Sequence, residues 1–316
     1  MLQNILICPG CMGKLEHAAS KYVCCSCSLT YKIREGIPIL LVEEAEGVRE
    51  DTAESTFDNK KEQVKQGYTM VAESLQASGI ADAATFLNLG YAENENLQYA
   101  RFEPYKNCLN RNSVKLLLEV IGEYDFSNKK LLEVGCGRGG NIDTVNRYFT
   151  PQISIGVDLC EASIRFCKSY CSSATRHFCV GDAEKLPFPG DFFDVVLNIE
   201  SSDAYPHIHR FYDHVYRVLK KGGHFLYSDI MPTDIFSSHL CYLKNIGFEV
   251  AREADITSNV LLSCYEVAKK RMRAYENVEE MEELKVLEDF LAVPGSKVYE
   301  EMKRGIQSYR IYELVK

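Results

Sequence analysis

No apolar run in this 316-residue chain approaches the roughly 20 residues needed to span a bilayer, so no membrane span is expected. The opening MLQNILICPGC also lacks a basic segment followed by a long apolar one, the form of an export signal. A cytoplasmic protein is therefore expected. A basic surplus is missing as well: 36 Lys and Arg stand against 45 Asp and Glu, a net charge of -9. A protein built mainly to grip nucleic acid usually carries a basic face, so the balance points to a small-molecule partner instead. Without an export signal, the 13 cysteines suggest reduced thiols and not a disulfide framework. What remains is 46% hydrophobic and 26% charged, the composition of a soluble globular protein. The length suits one large domain with a small one, or two medium ones.

Four cysteines are regularly spaced. CPGC (8–11) and CCSC (24–27) are two C-x-x-C pairs with twelve residues between Cys11 and Cys24. Each pair can sit on a tight knuckle, and two knuckles supply the tetrahedral ligands of a closed structural zinc site. Cys8, Cys11, Cys24 and Cys27 are the expected ligands, with Cys25 pointing away. A redox C-x-x-C would call for a βαβ context, which is missing here. A piece this short cannot build an adequate core, so the metal would supply its folding energy. GIPILLVEEAE (36–46) provides its last strand. Together, LICPGCMGKL, YVCCSC and GIPILL resemble the small zinc ribbon that activates tRNA and protein methyltransferases and is also fused to the front of some methyltransferase chains. The ribbon is assigned to residues 1–46, and a linker with a first helix to 47–84.

LLEVGCGRGGNIDTV (131–145) places four glycines between an apolar run and an expected helix. Gly135, Gly137 and Gly140 satisfy G-x-G-x-x-G, a pattern that seats a dinucleotide on a helix N-terminus. The surrounding chain alternates strands and helices. NSVKLLLEVIGEY (112–124) sets Val114, Leu117, Leu118 and Ile121 on one helical face. KKLLEVGCG, ISIGVDL (153–159), RHFCVGDAEKLPF and FFDVVLNIES then read as four strands. HRFYDHVYRVLKKGGHFLYSDI reads as a helix, a Gly-Gly turn and a fifth strand. A sixth strand opens in NIGFEV (245–250), and IQSYRIYELV (306–315) is the last. Such alternation implies a mostly parallel sheet with crossover helices. The fold expected is α/β, a Rossmann-like seven-stranded sheet over 85–316, preceded by the small zinc ribbon.

Asp158 lies about twenty residues past the glycines, where an acid can take ribose hydroxyls. Glu133 would repel a pyrophosphate but attract a methionine ammonium and a sulfonium. Asp182, in GDAEKLPF, could accept from an adenine amino group. In this order the segments resemble class I S-adenosylmethionine-dependent methyltransferases. The resemblance implies a cofactor set of Glu133, Gly135, Cys136, Gly137, Asp158, Leu159, Asp182, Ala183, Asn198 and Glu200, with S-adenosylmethionine as the cofactor. GVDLCEASIRFCK, GDAEKLPFPGDFFDVVLNIESSDAYPHIHRF and SYRIYELVK resemble more narrowly the phthiotriol-type and microcystin-type O-methyltransferases. LNLGYAENEN (87–96) is similar to the segment that closes over the cofactor in that family. A hydroxyl on a lipid or polyketide-type secondary metabolite is the implied acceptor.

An aliphatic hydroxyl needs a base within reach. Where the family usually has histidine, in a pattern like E-[AS]-S-H-x-Y, this chain has Asp203. His207 matches a histidine the family retains. Either is a candidate catalytic base, or Asp203 could orient His207; alternatively His207 is a polar residue near a helix start. Tyr205 and Tyr91 read as packing, and Cys160, Cys167, Cys171 and Cys179 as small buried hydrophobes. A helical insert over about 255–305 is read as two helices. It belongs where a lid would sit, with Val260, Leu261, Leu262, Met272 and Phe290 as apolar lining. Two rival readings are an RNA base methyltransferase that uses the ribbon on RNA, and an inactive partner-binding subunit. One rRNA guanine methyltransferase family joins a cysteine zinc module to this fold, but residues 1–42 carry only +2 net.

Overall fold

The β-strands of the computed structural model are almost continuously apolar where they are central. The structure describes residues 2–48, 57–77, 83–93, 102, 104, 110–273 and 281–316. Residues 94–96 of the LNLGYAENEN segment, 274–280 of the expected helical insert, and 49–56 and 78–82 of the expected linker lie outside them. β5 (Lys130–Val134), β6 (Ile153–Asp158), β7 (Arg176–Gly181) and β8 (Phe193–Ile199) bury nearly every residue. Such strands are stable only with helices on both faces.

Those helices are α3 (Gly140–Tyr148), α4 (Glu161–Tyr170) and α5 (Ile208–Val218), with α2 (Arg111–Ile121) before the first central strand. The expected face of α2 is buried, but so are Leu116 and Val120. The helix is covered on both sides. β9 (Leu219–Pro232), α6 (Phe236–Asn245), β10 (Glu249–Asp255) and β11 (Gln307–Val315) complete this part. Its strand order is β7-β6-β5-β8-β9-β11-β10. All neighbours from β7 to β9 are parallel, and β11 is antiparallel to both β9 and β10.

The sheet does not stop at seven strands. β1 (Leu15–Ala18), β2 (Lys21–Cys24), β3 (Thr30–Arg34) and β4 (Ile37–Leu40) form the N-terminal meander. β4 then pairs in parallel with β7, setting Ile39 against Val180 and Leu40 against Gly181. Ile37, Ile39, Leu40 and Leu41 are all buried, and each such side chain contributes about 1.5–3 kcal/mol. Ion pairs from Arg34 to Glu161 and Glu44, both 2.8 Å, add little, since exposed pairs contribute about 0–1 kcal/mol. Apolar burial therefore docks the meander. Tyr22 and Tyr31 share one cluster with Leu186, Phe188 and Leu132 of the larger part.

Two sequence expectations are corrected. Gly222 and Gly223 do not form a turn but lie inside β9 as a bulge, where the β8 pairing jumps from Leu219 to His224. The carboxyl-terminal residue holds them, because Gly222 N–H donates to Lys316 O at 2.7 Å. The insert contains three helices among the described residues, not two: α7 (Thr257–Met272), α8 (Met281–Phe290) and α9 (Lys297–Lys303). Pro294 and Gly295 break the run, and Ser296 Oγ caps α9 by accepting from Tyr299 N–H. Among the described residues no helix is long and apolar enough to cross a membrane.

Gly156, in the middle of β6, tests this packing. A Cβ there would sit 2.7 Å from Phe178 Cδ1 and 2.8 Å from Cys136 Sγ. Gly156→Ala is expected to cost about 1–3 kcal/mol, the usual cost of overpacking, read by denaturant unfolding. A neutral substitution would contradict the register of β6 and β7.

Candidate active site

β5 turns sharply at Gly135, whose φ is +68°. The N–H groups of Gly135 and Cys136 both donate to Val157 O, at 2.9 and 3.1 Å. A Cβ at Gly135 would lie 2.0 Å from Ser201 Oγ, so only glycine lets the loop after β8 approach. At Gly140, a Cβ would meet Thr85 O and the Phe86 ring at 2.7 Å, and Gly140 N–H donates to that same oxygen. The glycines therefore bring three segments together.

Asp158 ends β6 and holds this turn. Its Oδ2 accepts from Gly137 N–H and its Oδ1 from Cys160 N–H, both at 2.8 Å. Burial raises its carboxyl above the usual range, opposed by the N–H groups of Cys160, Gly137 and Leu159. Asp182 follows β7 and accepts from Glu184 N–H at 2.9 Å and Lys61 Nζ at 2.7 Å. Lys61 belongs to α1 (Phe57–Ala77) and also pairs with Glu184 at 2.8 Å.

Glu133 is 1% exposed, and its Oε1 accepts from Asn141 Nδ2 at 2.7 Å. Its Oε2 and Asn141 Oδ1 are buried without a hydrogen-bond partner. Burial pushes the Glu133 carboxyl up to about 8, against the pull of the Asn141 amide. Asn198 Nδ2 donates to Val134 O at 2.8 Å, stitching β8 to the end of β5. At the end of β8, Glu200 takes a left-handed φ of +53°.

These groups surround a cavity of about 950 Å³, counting its open mouth. Its wall gathers Gly135, Cys136, Gly137, Asp158, Leu159, Asp182, Ala183 and Glu200 from the expected set. Glu133 and Asn198 stand behind that wall, with Asn141 presenting the face of the first. Neither Asp203 nor His207 lines the cavity. Asp203 is exposed and donates its N–H to Asp229, while His207 N–H donates to Glu184 Oε1 at 2.6 Å. The lining also includes Lys61, Val64, Lys65 and Tyr68 of α1, with Phe86, Leu87 and Asn88. Sequence reasoning flagged Leu87 and Asn88, in the segment expected to close over the cofactor, but missed the α1 residues, Phe86 and Asn141. α1 had shown only weak helical patterning, and no local signal ties it to strand ends over a hundred residues away. The insert residues proposed as lining are not at this wall. Val260 is buried in the cluster under α2, and Met272 and Phe290 pack against Val71 and Leu75 of α1.

In the N-terminal meander, the sulfurs of Cys8, Cys11, Cys24 and Cys27 all lie within 4.8 Å of one another. Cys24 Sγ also accepts from the N–H groups of Ser26 and Cys27, as knuckle thiolates do. Cys25 is exposed and outside the set.

Residues 132–227 match the family model of a methyltransferase domain. The fatty-acid O-methyltransferase of Mycolicibacterium smegmatis is 34% identical over 237 residues, covering 74% of this chain and 84% of that protein. The phthiotriol/phenolphthiotriol dimycocerosates methyltransferase of Mycobacterium leprae is 31% identical over 241 residues, covering 74% and 86%. The chain is an S-adenosylmethionine-dependent methyltransferase. The methyltransferase shares its fold with the [4+2]-cyclase SpnF (TM-score 0.61, 20% identity, 81% and 96% covered). It is similarly related to the StiE O-MT (TM-score 0.55, 19% identity, 77% and 90% covered).

The methyltransferase's cavity residues fit S-adenosylmethionine. Asp158 is an acceptor suited to ribose hydroxyls, and the orphaned oxygens of Glu133 and Asn141 suit an ammonium group. Because the Glu133 carboxyl is held up to about 8, it is neutral through most of the acidic and neutral range. Affinity for the cationic cofactor should therefore rise with pH as Glu133 ionises, levelling above about 8. Calorimetric titration from acid to mildly alkaline pH checks this, and Glu133→Gln should flatten the rise. An unchanged profile in the variant would remove Glu133 from cofactor binding.

Proposed function

We propose that this methyltransferase methylates a hydroxyl on a hydrophobic small molecule of the lipid or polyketide type. The observation that carries the reading is the cavity's mixed lining: acids and glycine backbone at the strand ends share it with Val64, Tyr68, Phe86, Leu87 and Pro206. An apolar acceptor would pack against those side chains, facing the methyl donor. The named activity of the phthiotriol relative supports a hydroxyl acceptor, and that of the fatty-acid relative supports a lipid acceptor, though on a carboxyl group.

In this reading Asp158 takes the ribose hydroxyls and Asp182 the adenine amino group. Asn141, backed by Glu133, takes the methionine ammonium. When bound, S-adenosylmethionine supplies an electrophilic methyl group on a sulfonium. The protein's own task is alignment of the acceptor oxygen for in-line approach, with water excluded by α1. Proton acceptance falls to the loop after β8, which carries Glu200, Asp203 and His207.

An extract assay with a labelled methyl donor tests the acceptor class. Label is expected in organic-soluble product, and label confined to RNA would overturn the reading in favour of RNA methylation.

We further propose that Cys8, Cys11, Cys24 and Cys27 hold one structural zinc ion. The paired knuckles and the convergence of four sulfurs support this. Because the meander shares a core with the sheet, chelation should lower the melting temperature of the whole protein in one transition. Metal analysis giving no zinc, or a chelator that leaves the melting temperature unchanged, would contradict the proposal.

A further inference from the structure

We propose that Glu200 is the proton acceptor of the reaction, and that this selects a neutral hydroxyl acceptor over a carboxylate. The inference rests on the hydroxyl-methylation reading and deepens it. Glu200 is in the cavity wall beside Ser201, Ala204 and Tyr205, where the competing Asp203 and His207 are not. Its backbone is left-handed, a conformation that costs a non-glycine residue of order 1–3 kcal/mol and persists only when its surroundings impose it. Here they do. Glu200 N–H donates to Ser228 O at 2.8 Å. Both carboxylate oxygens accept from Leu89 N–H, at 3.1 and 2.9 Å, and Oε2 also accepts from Tyr309 Oη at 2.8 Å. The carboxyl is thus held from two separate segments and its backbone from a third, and each carboxylate oxygen keeps lone-pair capacity for a further donor.

The surroundings also set its basicity. Burial pushes the Glu200 carboxyl up to about 7, against the Leu89 N–H, the Tyr309 hydroxyl and the positive charge of Arg271, with Asp203 adding to the rise. Tyr68 of α1, Cys264 of α7 and Asp229 of β9 are the other titratable groups within electrostatic reach. A base near neutrality is what hydroxyl deprotonation at working pH requires. In the step, the acceptor oxygen forms a bond to the transferred methyl carbon as the carbon–sulfur bond breaks. That bonding pair stays on sulfur, and the hydroxyl proton passes to Glu200, which later releases it to water.

A carboxylate acceptor fits this site poorly. It is ionised at neutral pH and needs no base, and it would meet Glu200 and Asp158 as like charges. The lysines of the wall are engaged: Lys61 with Asp182 and Glu184, and Lys65 with Glu44. Arg138 and Arg271 donate to the carbonyl oxygens of Ala84 and Asn88.

The test compares a long-chain secondary alcohol with a fatty acid of matched length. Each is offered with S-adenosylmethionine to wild type, Glu200→Gln, Asp203→Asn and His207→Ala across pH. Wild-type turnover of the alcohol is expected to rise with pH through about 7 and to exceed turnover of the acid. Glu200→Gln should lose ~10²–10⁴ in kcat and the pH limb at saturating cofactor, with saturation set for each variant from its own calorimetric affinity. Infrared difference spectra between wild type and Glu200→Gln, with S-adenosylhomocysteine bound, read the carboxyl without any acceptor. A protonated-carboxyl band that titrates near neutrality and is missing from the variant is expected. Loss of the limb in Asp203→Asn or His207→Ala but not in Glu200→Gln would overturn the proposal, as would a Glu200 carboxyl that stays ionised in mild acid. Faster methylation of the acid than of the alcohol would overturn the selectivity. A wild type that binds cofactor yet methylates no alcohol would instead defeat the hydroxyl reading itself, while the infrared titration still decides on Glu200.

Discussion

The hydrogen bonds from Gly137 and Cys160 to one carboxylate, Asp158, tie the turns after β5 and β6 into a single surface. Everything functional is arranged around them. β5 lies between β6 and β8 in the sheet, the point where an open α/β sheet leaves a crevice beyond its strand ends. Asp158 fixes one lip of that crevice, and the loop after β8 forms the other. Because Gly135 has no side chain, that loop can close to within contact of the glycine turn. The same carboxylate that shapes the turn also lines the cavity, so in the proposed reading its structural and binding tasks coincide.

The N-terminal meander extends this arrangement instead of sitting apart from it. β4 continues the parallel sheet at its β7 edge, and the short helical turn after it carries Glu44, which pairs with Lys65 of α1 at 2.7 Å. The helix that walls the cavity is thereby tied to the cysteine knuckles through a few residues of β3 and β4. The knuckles lack an adequate core of their own, but they share Tyr22 and Tyr31 with the sheet's core. In the proposed reading, stability gained by zinc at the four thiols would therefore reach the helix that walls the cavity.

What the sequence disclosed was local. Gly135, Gly137, Asp158 and Asp182 sit at fixed offsets from strands whose apolar runs are unmistakable, and the cysteine pairs announce their own spacing. What it concealed depends on distant contacts. Lys61 and Tyr68 acquire meaning only because α1 folds across strand ends far along the chain. Glu200 read as a cofactor-site residue and not as a base, since neither its left-handed backbone nor its bond to Tyr309 leaves a trace in composition. Gly222 and Gly223 looked like a turn because the extended pairing on both their sides involves β8 and the carboxyl terminus. The apolar insert residues read as lid lining are used instead to bury α2 and to brace α1.

The central claim is that the acids around the glycine turn form the cofactor site. A crystal structure with S-adenosylhomocysteine tests it most directly. The account predicts ribose hydroxyls on Asp158, the adenine amino group at Asp182, and the amino group of the homocysteine part at Asn141 beside Glu133. The product bound elsewhere, with Asp158 making only its backbone hydrogen bonds, would contradict it.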